Sequence, residues 1–244
     1  MDAMDAQQVT ADTRRFRIFR YKRGDEGGKH FDEFVVPVGP RTTLLEALLW
    51  IQLHRDRSLA LRHSCLHASC GTCGLLANGR EALACVTPVS DLGDEITVEP
   101  LANIPVLTDL VSDMGAFYAR LPDRHPFLRA SEFLPDADSP EGLSEYVRFE
   151  DCLECGLCLS ACPVASTSRD YVGPGALTAA HRLLEDRRGA DEQALLDWAA
   201  GPNGAWRCHA AYECTEVCPA GADPAGRIMA IRGELLRRRN GSER

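Results

Sequence analysis

The sequence predicts an α+β protein built as two units, strands with one helix first and then helices and loops. Two observations carry this reading. Between Arg15 and Val38, stretches such as Arg15 to Tyr21 alternate apolar and polar side chains with a period of two, whereas the apolar residues from Ala176 onward recur at helical spacing. The eleven cysteines also divide between the regions, four before residue 86 and seven from residue 152 onward.

A chain of 244 residues is long enough for two modest domains, each with its own core. Its 45% hydrophobic and 26% charged residues are ordinary for a folded chain. The formal net charge of −9 argues against nucleic acid as a partner, because phosphate binding needs a concentrated basic surface. The one basic run, Arg237 to Arg239, reads as a solvated helix end. The first fourteen residues contain no apolar stretch, so no secretory signal is expected, and their acidic side chains argue against a transit peptide. No run approaches the roughly 18 apolar residues of a membrane span; Leu44 to Leu53 is short and interrupted by Glu46.

In order along the chain, residues 1–14 are expected to be extended or disordered. Arg15 to Tyr21 places Phe16 and Ile18 on one face of a strand, and Phe31 to Val38 is a second strand ended by Gly39-Pro40. A glycine-rich turn near Gly24 to Gly28 would join them. Thr42 or Thr43 can cap a helix carrying Leu44, Leu45, Leu48, Leu49 and Leu53.

Cys65, Cys70 and Cys73 then follow a C-x4-C-x2-C spacing with Cys85 downstream, the plant-type arrangement for a [2Fe–2S] cluster. Asn78-Gly79 favours a tight hairpin that would return the last thiolate. Gly71 and Gly74 let the backbone approach the sulfurs. A four-thiolate zinc site normally presents two C-x2-C knuckles, and only one is present. Cys65-Leu-His67 imitates half of a Rieske site, but the residue three after Cys85 is Pro88, so His63 and His67 read as loop residues. Asp94 to Leu101 reads as a closing strand.

Asn103 to Arg120 is expected to be helical from near Pro105, with Leu107, Leu110, Val111 and Met114 along one side. The domain boundary falls near residue 105, giving units of 15–105 and 106–244, with this helix in the second. Pro122, Pro126, Pro135 and Pro140 break up the loop that follows. Helices are expected at Ala176 to Asp186, Asp191 to Ala199 and Arg227 to Arg239.

Cys152, Cys155, Cys158 and Cys162 stand as C-x2-C-x2-C-x3-C-P, ending at Pro163, the bacterial-ferredoxin signature whose fourth cysteine serves a second cluster. A matching run from Cys208 would need cysteines at 208, 211, 214 and 218, and position 211 is Ala211. Crossing the ligands gives Cys152, Cys155, Cys158 and Cys218 for a [4Fe–4S] cluster, and Cys162, Cys208 and Cys214 for one short of a ligand. A cube missing one thiolate readily lacks the iron it would hold, so the third cluster is expected as [3Fe–4S]; a second [4Fe–4S] with a non-cysteine ligand is the alternative. The expected architecture is thus a plant-type ferredoxin (β-grasp) domain followed by an all-α, bacterial-ferredoxin-like domain. The chain has no nucleotide fingerprint, phosphate loop or Ser/His/Asp arrangement, so no catalytic residue is assigned and the legible chemistry is one-electron transfer.

This order of motifs resembles the iron–sulfur subunit of succinate dehydrogenase and fumarate reductase, from Arg15 to Arg239. Further matching stretches are Glu99 to Pro105, Gly173 to His181, Trp206 to His209, Cys218-Pro219 and Asp223-Pro224. They look most similar to the bacterial fumarate-reductase branch. The resemblance implies a flavoprotein partner with covalently bound FAD, and electron flow from flavin through [2Fe–2S], [4Fe–4S] and [3Fe–4S] to a quinone held against membrane-anchor subunits. It implies a peripheral position on the cytoplasmic face of a bacterial cell membrane, with flow reversed for fumarate reduction.

The resemblance also places Pro163 and His209 beside the quinone pocket, and Arg232 where the fumarate-reductase branch has a basic residue. Ubiquinone-type enzymes carry a tryptophan where this chain has Ser166, which favours menaquinone. Local hydrogen bonding and helix-end charge are the competing reading of Ser166, His209 and Arg232. A freestanding multi-cluster electron carrier is the alternative function, separable because it would purify alone.

Overall fold

The computed structural model describes residues 12–22, 28–122, 152–185 and 192–241. The expected turn at 24–28 therefore falls largely outside the described residues, as do the prolines at 126, 135 and 140.

Strands β1 (Asp12–Arg20) and β2 (His30–Val38) pair antiparallel, with Phe16 opposite Phe34 and Ile18 opposite Asp32. Helix α1 (Leu44–His54) follows. Its cap is Thr43: the Thr43 hydroxyl accepts from the Glu46 amide at 3.2 Å while the Glu46 carboxylate accepts from the Thr43 amide at 2.8 Å, a reciprocal capping box. The helix buries Leu44, Leu45, Leu48 and Ile51 against the inward side chains of the sheet, among them Phe16, Ile18, Val36, Ile96 and Val98. Strands β3 (Gly74–Ala77), β4 (Arg80–Leu83) and β5 (Glu95–Glu99) complete a five-stranded mixed sheet in the order β2-β1-β5-β3-β4, with β1 and β5 parallel. Asn78 (φ 51) and Gly79 (φ 75) make the β3–β4 turn with both residues left-handed, as that dipeptide favours.

The expected helix over 103–120 does not form as a unit. Instead β6 (Val106–Thr108) and β7 (Val111–Ser112) make a small hairpin, and only α2 (Met114–Tyr118) is helical. The cause is Asp109, buried at the hairpin tip with φ 41. Its carboxylate accepts from Arg20 Nε (3.2 Å), the Tyr21 amide (3.0 Å) and the Ala60 amide (2.9 Å). A continuous helix would carry that carboxylate away from donors far off in sequence, and a buried Arg20 would lose a counter-charge. The hairpin is thereby tied to the end of β1, and Lys22 and Thr108 form an isolated bridge.

From residue 152 every described element is helical: α3 (Leu157–Ser160), α4 (Pro163–Thr167), α5 (Pro174–Glu185), α6 (Glu192–Ala200), α7 (Glu213–Glu216) and α8 (Pro224–Gly241). The expected helices near 176, 191 and 227 are present, each beginning within three residues of its forecast, at Pro174, Glu192 and Pro224. Prolines lead α4, α5 and α8, where a missing N–H costs nothing. Leu101, Ile104, Leu157 and Leu159 join the sheet core to the helical region in one continuous apolar cluster.

Two polar ties cross the same junction. Ser160 Oγ donates to Glu81 (2.8 Å) and accepts from the Ala102 amide (2.9 Å). Asn103 Nδ2 donates to the carbonyls of Leu159 (3.0 Å), Ser160 (2.8 Å) and Cys162 (3.2 Å). Leu159 and Ser160 lie at the end of α3 and Cys162 caps the start of α4, so one side-chain amide spans the turn between the two helices.

Candidate metal centres

The loop from Arg62 to Cys73 has the irregular backbone of a wrapping segment, with Leu66, Ala68 and Gly71 all left-handed. That path turns amides toward sulfur. The Ser69 amide donates to Cys65 Sγ at 3.3 Å, the His67 amide to the same sulfur at 3.5 Å, and the Ala68 amide to Cys85 Sγ at 3.3 Å. Cys73 leads into β3 and Cys85 follows β4, so the hairpin returns the fourth thiol to the first three. The His67 amide is the main cause that lowers the Cys65 thiol to about 6, with Cys70 and Ser69 adding to it. Burial instead raises Cys73 to about 11, and Cys85 and Cys70 lie beside it.

Cys152, Cys155 and Cys158 curl around left-handed Glu154 and Gly156, and Cys218 arrives from the end of α7. The Ala222 amide donates to Cys218 Sγ at 3.3 Å. Burial raises Cys152, which has Cys218 as a neighbour, and raises Cys155 to about 11 beside Cys152 and Cys218. Cys158 is raised well above its ordinary value, by burial and then by Cys155, Cys152, Cys214 and Cys218. Cys158 therefore faces its own group and one member of the next.

Cys162, at the start of α4, is raised by burial with Cys208 nearby; Cys214, inside α7, is raised to about 12 by burial and then by Cys162 and Cys208. The Ala210 amide donates to Cys208 Sγ at 3.3 Å. Ala211 lies exposed in this loop between left-handed Ala210 and Tyr212. The structure brings Cys73 near Cys85 and Cys70, Cys155 near Cys152 and Cys218, and Cys214 near Cys162 and Cys208.

The three groups fit iron–sulfur clusters. Buried thiols resist ionisation unless a cation compensates them, and metal ligation requires the thiolate. Among the described residues, no three His, Cys, Asp or Glu side chains converge as they would on one ion. Polynuclear clusters suit such thiols, since each thiolate sits on one of several irons.

The loops of the first two groups touch. A β-carbon on Gly71 would lie 2.5 Å from the Cys155 β-carbon, and one on Gly74 would lie 2.7 Å from a Leu157 methyl. Only glycine allows this approach.

Of the four expected quinone residues, Pro163 and Ser166 flank Cys162 on exposed positions of α4, and the Ser166 hydroxyl donates to the Pro163 carbonyl at 2.7 Å. His209 is exposed beside Cys208. Arg232 donates from Nε to the Ala205 carbonyl (2.9 Å) and from Nη2 to the Cys208 carbonyl, and lies over the Trp206 ring at 5.6 Å. Exposed Trp206 and Tyr212 border the same loop. Sequence reasoning missed Tyr171: fully buried, it has Cys208, Cys162 and Cys214 as neighbours, and burial first and those thiols second raise its pKa. Nothing in its sequence position signals this.

Two family models match the chain, a 2Fe-2S iron–sulfur cluster binding domain over residues 15–119 and a 4Fe-4S dicluster domain over residues 148–222. The chain is 36% identical over 218 residues to the fumarate reductase iron–sulfur subunit of Mycobacterium tuberculosis, covering 87% of this chain and 88% of the relative. It is 35% identical over 219 residues to the subunit of that name from Escherichia coli O157:H7, covering 88% and 90%. It is 32% identical over 234 residues to the succinate dehydrogenase iron–sulfur subunit of Coxiella burnetii, covering 93% and 99%. Among solved structures, a chain of the Mycobacterium smegmatis Sdh1 complex in the apo form matches with a TM-score of 0.79 at 24% identity, covering 93% of this chain and 97% of that one; at that identity the likeness shows the fold.

Proposed function

The chain belongs to the family of succinate dehydrogenase and fumarate reductase iron–sulfur subunits, and from that premise we propose that it conducts electrons singly between a FAD-bearing flavoprotein subunit and a quinone at a membrane anchor. In this reading Cys65, Cys70, Cys73 and Cys85 hold [2Fe–2S], Cys152, Cys155, Cys158 and Cys218 hold [4Fe–4S], and Cys162, Cys208 and Cys214 hold [3Fe–4S]. The clusters, when bound, supply one-electron transfer in that order.

The observation that carries the reading is that thiols neighbour one another within the proposed groups, with the loops of the first two groups in contact through Gly71–Cys155 and Cys214 near Cys158. The chain's own residues supply thiolates, sulfur-directed amides and close packing between successive loops. These control reduction potential and distance, the two quantities on which a relay depends. The exposed edge of the third group, with Pro163, Ser166, His209, Arg232, Trp206 and Tyr212, is the proposed quinone neighbourhood. The absence of tryptophan at Ser166 supports menaquinone.

Among the described residues no helix is long and apolar enough to cross a membrane. The proposed anchor is a separate subunit, with this chain peripheral on the cytoplasmic face, as the family resemblance implies. The names of the relatives support flow in either direction, succinate to quinone or quinol to fumarate.

Low-temperature EPR of the purified complex tests the proposal. The expected result is a three-iron signal as isolated and a [2Fe–2S] signal on adding succinate. Loaded clusters that succinate leaves oxidised would remove the succinate assignment.

A further inference from the structure

Tyr171 is fully buried and is among the largest side chains in the core. Its backbone is pinned on three sides: its amide donates to the Ser168 carbonyl at 3.2 Å, Arg120 Nη1 donates to its carbonyl, and the next amide, Val172, donates to the Asn203 carbonyl at 3.1 Å. Gly173 beyond it packs so closely on Leu159 that a β-carbon there would lie 2.7 Å from a leucine methyl. The ring therefore has little freedom to turn its hydroxyl elsewhere.

That hydroxyl is buried and, among the described residues, forms no hydrogen bond. Cys208 is near enough to interact with it, without the alignment of a formed bond, and Cys162 and Cys214 lie near it too. Leaving a buried hydroxyl unpaired is costly, and a phenylalanine would fill the same space without that cost. A partner that completes the site is thus expected among the three thiols, where the sulfur-rich group of the proposed function would sit.

We propose that the Tyr171 hydroxyl donates a hydrogen bond to the cluster held by Cys162, Cys208 and Cys214, either to a thiolate sulfur or to a bridging sulfide, and thereby raises the reduction potential of that cluster. This rests on the cluster assignment above. A phenol is protonated at neutral pH and can donate. Reduction adds one negative charge to the cluster, and a fixed donor stabilises the more negative state more strongly. No proton moves; the bond only strengthens as the electron arrives. A terminal cluster with a raised potential draws electrons from the preceding one.

The test is Tyr171→Phe in the intact complex, which removes one oxygen and keeps the ring. Redox titration followed by EPR should show the midpoint of the third cluster falling by about tenfold in its reduction equilibrium, about 59 mV for one electron. The [2Fe–2S] and [4Fe–4S] midpoints should stay where they were. Proton ENDOR of the oxidised third cluster should lose one exchangeable-proton coupling. An unchanged midpoint, or survival of that coupling, overturns the proposal. A wild-type complex without a three-iron signal would refute the cluster type instead, and the same two comparisons would then be read on the cluster that these cysteines hold.

Discussion

Gly71 and Cys155, 84 positions apart, are packed so closely that a β-carbon on Gly71 would lie 2.5 Å from that of Cys155. Gly71 is also left-handed, at φ 67. The contact brings the loop of the first thiol group against a thiol of the second, so one glycine governs both a turn and the separation of two proposed clusters.

Gly71→Ala and Gly79→Ala separate those roles. Both positions are left-handed, and alanine there costs about 1–2 kcal/mol, but a β-carbon on Gly79 meets nothing within 4 Å. Thermal unfolding should show Gly79→Ala losing about that amount. Gly71→Ala should lose about 1–3 kcal/mol more, because the Cys155 backbone must move, and its iron content should fall. Equal losses would mean that the contact carries no constraint.

Asp109→Ala should lower stability by about 3–5 kcal/mol, measured by denaturant unfolding. It removes a buried acceptor of three hydrogen bonds and a counter-charge of Arg20, whose side chain is 11% exposed. Asp32 and Asp56 still pair with Arg20, so the smaller figure is the nearer one.

Asp56 should contribute a measurable acid dependence. The Ser58 hydroxyl and then Arg20 lower its pKa from 3.8 to about 2. A depressed folded-state pKa gives stability that is present above the unfolded value and is lost as pH falls through the folded one, here between about pH 4 and pH 2. In acid unfolding, Asp56→Asn should flatten the curve across that window, while an unaltered curve would assign the loss to other carboxylates.

Asn103→Ala should cost about 1–3 kcal/mol in thermal unfolding, because one side-chain amide serves three carbonyls across the turn from α3 to α4, including that of Cys162. Asn103→Asp should be worse, since a carboxylate would face three acceptors.

Ala211→Cys should complete the interrupted spacing of the second motif. The expected outcome is loss of the three-iron EPR signal and a gain of about one iron per chain. Persistence of the signal would show that the Cys208–Cys214 loop cannot bring position 211 to the cluster.

Helix α1 was legible because its signals are local: leucines at helical spacing and a threonine three residues before Glu46. The β3–β4 turn was legible from Asn78-Gly79 for the same reason. The hairpin after Pro105 is not legible in the sequence because Leu107, Leu110, Val111 and Met114 satisfy helical spacing equally well. Asp109 decides the outcome through Arg20, Tyr21 and Ala60, donors that spacing cannot reveal.

What the sequence by itself determined was the thiol inventory and its division, since short intervals between cysteines limit which of them one loop can gather around a cluster. The caps and tight turns belong with it, being decided within a few residues. Only the tertiary structure decided that Gly71 touches Cys155, that Asn103 closes the end of α3, and that the Tyr171 hydroxyl is buried beside Cys208. Each of these joins residues tens of positions apart. Such pairs meet only when a whole core packs, and close packing, not local preference, sets which atom stands against which.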